Sequence, residues 1–353
     1  MRKQNANLKK YLGFIIFGVV LILIQVLALP EIKLVQAATA RGFGSFMIHM
    51  IIVLGYFLLL GYAGLASLGT AGFVGLGTYL AGFMFSAWGL PPLITLTITI
   101  LVGVVLGLIV GFISLRIEGM YLAIITLGLA EMLTVLFKNA TGFTGGVSGL
   151  NIYTTNIKMF WLINMDRTNT YFFIAIALVA LLLITYNITK SPAGRAMLSM
   201  KNSESAAQTM GVSSLKYRLL AFVIATVFAM IAGYLYMMYY RYSEPTKWNL
   251  NLSLNVLAAV VIGGTGSIWG ILIGGYFVFS LNDTLLNKIP FFAQNPSAFM
   301  FLTGLLMILV VMFYPGGISQ LLITTRFKIK ALYVKYKAKK ALKSEGEDKN
   351  GNK

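Results

Sequence analysis

Ser191-Pro192-Ala193-Gly194-Arg195-Ala196-Met197, followed by Ser203-Glu204-Ser205-Ala206-Ala207-Gln208-Thr209-Met210-Gly211-Val212, is a polar island between two apolar runs, Tyr171–Tyr186 and Leu219–Tyr240. Each run reads as a membrane-crossing helix. The island is then an extramembrane connector, and the chain is a polytopic helical membrane protein. Pro192 suits the first turn of a helix. Ala206 and Ala207 favour helix, and Gly211 is a good C-terminal stop. The pattern predicts a short, small-faced helix outside the bilayer. Such a surface can seat in a groove of another protein; the plainer reading is a solvated connector.

Composition agrees. Of 353 residues, 58% are apolar and 11% charged, and mean hydropathy is +0.83. A soluble globule of this size carries about 25% charged residues. The absence of cysteine excludes disulfides, thiolate-ligated metals and thiol catalysis. The lone His49 argues against a His-rich metal site or a Ser-His-Asp triad, and it reads as a packing residue near the end of its span. No clustered carboxylates suggest a membrane-embedded enzyme, so the chain is read as a non-enzyme without a metal or cofactor of its own.

Working outward, candidate spans are Tyr11–Leu29, Met47–Leu65, Thr70–Trp88, Leu93–Leu115, Met120–Phe137, the two flanking runs and Phe299–Phe313. Lys and Arg mark the cytoplasmic side. Arg2, Lys3, Lys9 and Lys10 precede the first span, and the tail from Arg326 to Lys353 carries ten basic residues. The connector holds Lys190, Arg195, Lys201, Lys216 and Arg218. With Arg116, these segments hold most of the 28 basic residues, so both termini and the connector are expected in the cytoplasm. Parity then requires Leu252–Leu281, interrupted by Gly263-Gly264-Thr265-Gly266-Ser267-Ile268-Trp269-Gly270, to cross as two short segments. The expected fold is all-α, with about 8–10 transmembrane or re-entrant helices. Residues 1–10 form a cytoplasmic N-terminus, 11–323 the membrane domain with the connector at 187–218, and 324–353 a basic tail. A cleavable signal peptide ending near Val35–Ala40 is the alternative for the N-terminus.

Glycine is concentrated at Gly61, Gly64, Gly69, Gly72, Gly75, Gly77 and Gly82. Small residues permit close helix packing. They equally permit a broken helix whose freed backbone lines a substrate path, provided it faces protein or a cavity. Candidate path residues are Gly64, Ser67, Gly69, Thr70, Gly263 and Gly264. Glu131 lies mid-span; an intramembrane carboxylate usually faces a bundle interior or cavity, where it pairs structurally, meets substrate or relays protons. Thr144, Gly145 and Gly146 form an extracytoplasmic turn or a polar gate.

The connector resembles the coupling segment of bacterial ABC importer permeases, E-x-A-A-x-x-x-G, which Glu204, Ala206, Ala207 and Gly211 fill without a gap. An ordered series resembles one subgroup, the permease subunits of branched-chain amino acid ABC importers. It runs through Gly61-Tyr62-Ala63-Gly64 with Ser67-Leu68-Gly69, then Leu115 to Leu127, then Thr144-Gly145-Gly146 with Gly149, then Ser191 to Gly211 and Val261 to Gly270. Leu65 and Thr70 depart from the Gln and His often found there in that family, which bears on substrate choice.

The resemblance implies a permease of the bacterial plasma membrane, importing branched-chain, hydrophobic amino acids. Its implied partners are a second homologous permease, two ATP-binding cassette subunits and an extracytoplasmic substrate-binding protein, alongside membrane lipid and no nucleic acid. Glu204, Ala206, Ala207, Gly211 and Arg195 are implied as the ATPase-coupling residues. ATP would be bound by the partners, since this chain has no G-x-x-x-x-G-K-[ST] loop. Permeases for urea, short amides or other amino acids share much of the pattern. A stand-alone ion-coupled carrier using Glu131 is the competing class; neutralising Glu131 separates the two.

Overall fold

The computed structural model describes residues 2–27, 37–114, 120–159, 163–281, 296–313, 316–320 and 324–325. Arg116, the tail from Arg326 to Lys353, and Val35 and Gln36 of the Val35–Ala40 stretch lie outside the described residues. The described chain is mostly helical, with four two-residue strands. The membrane helices are α1 (Arg2–Leu27), α2 (Ala37–Tyr56), α3 (Thr70–Ala87), α4 (Pro92–Ser114), α5 (Met120–Asn139), α7 (Arg167–Lys190) and α10 (Ser214–Tyr240), then α11 (Leu250–Gly263), α12 (Ile268–Phe279) and α13 (Pro296–Phe313). A π-helix, Phe57–Tyr62, extends α2. Outside the bundle lie α6 (Thr141–Thr144), α8 (Pro192–Asn202) and α9 (Glu204–Thr209). Among the described residues six helices are long and apolar enough to cross a bilayer by themselves.

Helices α2, α3 and α10 form the centre, with 78%, 72% and 67% of their span residues buried, against 22% for α4 and 28% for α5, which sit at the periphery. Apolar burial alone does not drive helices together in lipid, so close backbone approach matters. The buried residues of α4 include Thr95, Thr99, Gly103, Gly107 and Gly111, a stripe with four-residue spacing. A Cβ on Gly107 would lie 3.0 Å from Val223 Cα, and one on Gly111 2.7 Å from a Leu219 methyl. Helices α3 and α10 approach still more closely. A Cβ on Gly77 would lie 2.4 Å from the Met230 carbonyl oxygen, and Thr78 Oγ1 donates within bonding distance of both Val74 O (2.9 Å) and Gly233 O (3.1 Å). Much of the glycine concentration is therefore tight packing.

The expected division of Leu252–Leu281 holds, with half-length members. At 1.5 Å per residue, α11 and α12 reach only about 21 and 18 Å, short of the roughly 30 Å hydrocarbon core. They form a hairpin in which Gly263, Gly270 and Gly274 bring the backbones together; a Cβ on Gly270 would lie 2.4 Å from Gly263 O. The tip packs on the segment following α13, where Gly264 (φ +81°) meets Gly316 and Gly317.

Relative sidedness follows from packing. Phe14, Gly18 and Leu21 of α1 meet Tyr186, Val179 and Tyr171 of α7 in turn, so α1 is antiparallel to α7 and begins at the connector end. The hairpin tip, at Thr265, lies beside Gly61, which Lys201 of the connector also contacts. The segment after α13 meets that tip. The N-terminus, the connector and the end of the bundle thus share one face. The opposite face carries α6 and the pairing of β1 (Leu150–Asn151) with β4 (Tyr242–Ser243), as well as the hairpin of β2 (Lys158–Met159) with β3 (Ile163–Asn164). His49 packs as expected: its ring stacks on Phe279 with centroids 4.4 Å apart, and Nδ1 lies 2.8 Å from Ser45 O.

Candidate functional site

The connector is built from capped short helices. Ser191 Oγ accepts from Gly194 N–H (3.2 Å) and Pro192 opens α8. Gly194 allows the chain to fold back on α7, since a Cβ there would lie 2.2 Å from Ile188 O. Met197 and Met200 bury the inner face of α8. Ser203 caps α9, placing the Glu204 carboxylate at its positive N-terminal end. The C-terminal end closes with Gly211 at φ +78°, Gly211 N–H donating to Gln208 O and Val212 N–H to Ala207 O. This is a Schellman closure.

The two alanines do not share one face. Ala207 is buried against the body, while Ala206 is exposed beside Ser205, Gln208 and Thr209. The flat outward surface expected from both alanines is therefore supplied by Ala206, and it ends at Met210, which is 85% exposed. Glu204 pairs with Arg218 of α10 at 2.5 Å, and Gln208 Nε2 donates to Ser214 Oγ at 3.1 Å. These bonds fix α9 to the first turn of α10. Arg195 Nη1 donates to Lys190 O (2.9 Å), closing the C-terminus of α7.

The second candidate region is the non-helical Ala63–Gly69 break between the π-helix and α3. Gly64, at φ +72°, turns the chain. The freed N–H groups go to hydroxyls from separate helices. Ser67 N–H donates to Tyr56 Oη (3.3 Å), Leu68 N–H to Thr126 Oγ1 (3.0 Å) and Ala71 N–H to Ser253 Oγ (3.0 Å). Gly69 N–H turns back to Ser67 Oγ (3.3 Å). Gly69 also lets the break lie against α5, since a Cβ there would lie 2.9 Å from Thr126 O. Thr70 and Ser67 line a cavity of about 10 Å³ with Tyr56 and Thr226. That space is at the lower limit for one water and far below the volume of an amino acid. In this conformation the break and the start of α3 are held by hydroxyls from three helices.

The remaining candidates lie apart from that centre. Thr144 is fully buried and donates to Phe137 O (2.5 Å) or Ala140 O (2.9 Å) while accepting from Gly146 N–H (3.1 Å). Gly145 and Gly146 both take positive φ. The Thr144–Gly149 stretch is thus a turn that closes the end of α5 and leads into β1, with the Thr144 hydroxyl spent inside it and Ser148 O accepting from Tyr242 Oη (3.1 Å). Gly263 and Gly264 serve the hairpin contacts described above. Glu131 departs from the expected bundle interior: it lies on the exposed face of α5 with Met132 and Val135, while Thr134 takes the buried face and reaches Trp248 O.

Sequence reasoning missed Tyr56, Thr126, Ser253, Lys201 and Arg218 as site residues. The hydroxyls were visible as lone polar groups in apolar spans, but pairing them with one loop requires the fold. Arg241 was missed as well. It holds φ +58° at the end of α10 and donates to Thr155 O (2.7 Å) and Met165 O (2.6 Å), tying the outer loop down.

Residues 38–311 match a family described as the permease component of branched-chain amino acid transport systems. The chain is similar to the high-affinity branched-chain amino acid transport system permease protein LivM of Escherichia coli (strain K12). The two are 30% identical over 320 residues, covering 84% of this chain and 74% of that protein. The LivM of Salmonella typhimurium is 29% identical over 294 residues, covering 77% and 68%. A probable branched-chain amino acid transport permease protein, LivH of Methanocaldococcus jannaschii, is 30% identical over 115 residues, covering 33% and 35%. No solved structure matches the chain.

Proposed function

The chain belongs to the permease components of branched-chain amino acid transport systems, and from that premise we propose that it is the membrane-spanning permease subunit of an ABC importer for branched-chain amino acids. It sits in the plasma membrane as a multi-pass protein. A second homologous permease, two ATP-binding cassette subunits and an extracytoplasmic binding protein complete the transporter. The observation that carries this reading is α9, a capped helix fixed to α10 with Ala206 and Met210 facing outward.

In this mechanism α9 seats in a groove of an ATPase subunit, with Ala206 and Gly211 at the contact and Glu204, Ala207 and Arg195 holding the connector against the body. Closure of the ATPases around ATP moves α9. The Glu204–Arg218 pair carries that movement into α10, and Arg195 carries it into α7. Because α10 lies in the packed centre of the bundle, its tilt is felt by α3, α4 and α2 together. Such a switch works only if ATP binds one arrangement better than the other. The substrate path opens at the Ala63–Gly69 break, where an apolar side chain meets apolar walls and the zwitterion meets backbone dipoles and hydroxyls.

The test is purification of the tagged chain in mild detergent, identification of its companions by mass spectrometry, and reconstitution with radiolabelled leucine. ATP-dependent uptake by a complex with two ATPase subunits and a second permease is the expected result. ATP-dependent uptake of urea or a short amide, with no uptake of leucine, would redirect the substrate assignment.

A further inference from the structure

Lys201 is the penultimate residue of α8, three positions before α9 begins. Its Nζ donates to Gly61 O at 2.9 Å. Gly61 belongs to the π-helix, whose wide turns end in Ala63 N–H donating to Leu58 O and Leu65 N–H to Leu59 O. A helix end leaves carbonyls without backbone donors, and Lys201 reaches across from the connector to supply one. Its stem lies over the turn that follows: a Cβ on Gly64 would be 3.2 Å from Lys201 Cγ. Burial against these groups pushes the Lys201 ammonium below the usual lysine range. One side chain therefore touches both sides of the point where α2 gives way to the break. π-turns recur at functional positions in helices.

We propose that Lys201 is a positioning residue that delivers the movement of α9 to the Ala63–Gly69 break. The inference rests on the coupling role assigned to α9 above. Helix α8 is short and anchored by Met197 and Met200, and Ser203 N–H donates to Ser199 O at 3.0 Å, so α8 and α9 move together. Displacing α8 pulls Gly61 O and shifts Gly64. Two of the hydroxyls that hold the break, those of Thr126 and Ser253, belong to α5 and α11, which the connector does not carry. Movement of Gly64 against them breaks their bonds to Leu68 and Ala71 and opens the break. Lys201 thus provides a second route, separate from α10, by which an ATPase-driven motion reaches the path.

The experiment uses the reconstituted complex and exploits the absence of cysteine from this chain. Lys201→Met keeps the stem and removes the donor. Leucine moved per ATP hydrolysed should fall about tenfold, the scale of one charge-assisted hydrogen bond, and Lys201→Arg should restore most of it. Wild-type leucine transport per ATP in Lys201→Met overturns the proposal alone, whereas failure of the unsubstituted complex to move leucine on ATP overturns the coupling reading with it. Should Lys201→Met not assemble, the chain with native Lys201 decides. Single cysteines at Ser205 and Ala66 report on α9 and on the break by their rates of thiol modification. Both rates should change on ATP binding. A change at Ser205→Cys with none at Ala66→Cys overturns the proposal.

Discussion

At the scale of single residues, backbone conformation and hydroxyl placement carry the argument. Gly211 holds φ +78°, and a Cβ there would meet nothing within 4 Å. Gly211→Val therefore acts through backbone strain of about 1–2 kcal/mol rather than through a clash. The variant is expected to insert and to be recovered at normal levels, while ATP-driven uptake is lost; full uptake would remove Gly211 from the coupling surface. Thr126 is the opposite case. Its hydroxyl accepts from Leu68 N–H and donates within the first turns of α5. Thr126→Val keeps shape and strands a buried N–H, costing about 1–3 kcal/mol. A lowered thermal midpoint in detergent should follow, and an unchanged midpoint would show that Leu68 finds another partner. The glycines and Glu204 could be read as candidates from the sequence. The partners of Gly61 and Leu68 could not, because Lys201 is 140 residues from Gly61 and Thr126 is 58 from Leu68.

At the scale of elements, the sequence located nearly every helix, because span-length apolar runs and glycine interruptions are local signals. It also placed the turn between α11 and α12. What it left open was the purpose of each glycine, and packing answers that helix by helix. The Gly103, Gly107 and Gly111 stripe of α4 exists to admit α10. Gly107→Leu should force the two helices apart at a cost of about 1–3 kcal/mol, measured as easier unfolding in detergent–denaturant titration. Stability equal to that of the unsubstituted chain would mean that α4 packs elsewhere in the membrane. The short α9 was legible through its stop at Gly211. Its facing was not: two adjacent alanines look alike in a sequence, and contact with α10 made one buried and the other exposed.

At the scale of the whole molecule, the start of α1 and the connector, each of which carries basic residues in the sequence, gather at one end of the bundle. The positive-inside rule predicts that this end is cytoplasmic. Cysteines introduced at Ser205 and at Thr154, on opposite faces, should be labelled by an impermeant thiol reagent from opposite sides of sealed vesicles, with Thr154→Cys accessible in intact cells. Labelling of Ser205→Cys in intact cells would invert the topology. The sequence by itself determined the class, the helices, the connector and the family resemblance, since hydropathy, charge bias and ordered motifs are written along the chain. The tertiary structure alone decided which glycines pack, which hydroxyls hold the break and that Glu131 faces outward. Those outcomes depend on contacts between residues far apart in sequence, and in lipid such contacts are chosen by close backbone approach and satisfied polar groups rather than by apolarity, which nearly every segment shares.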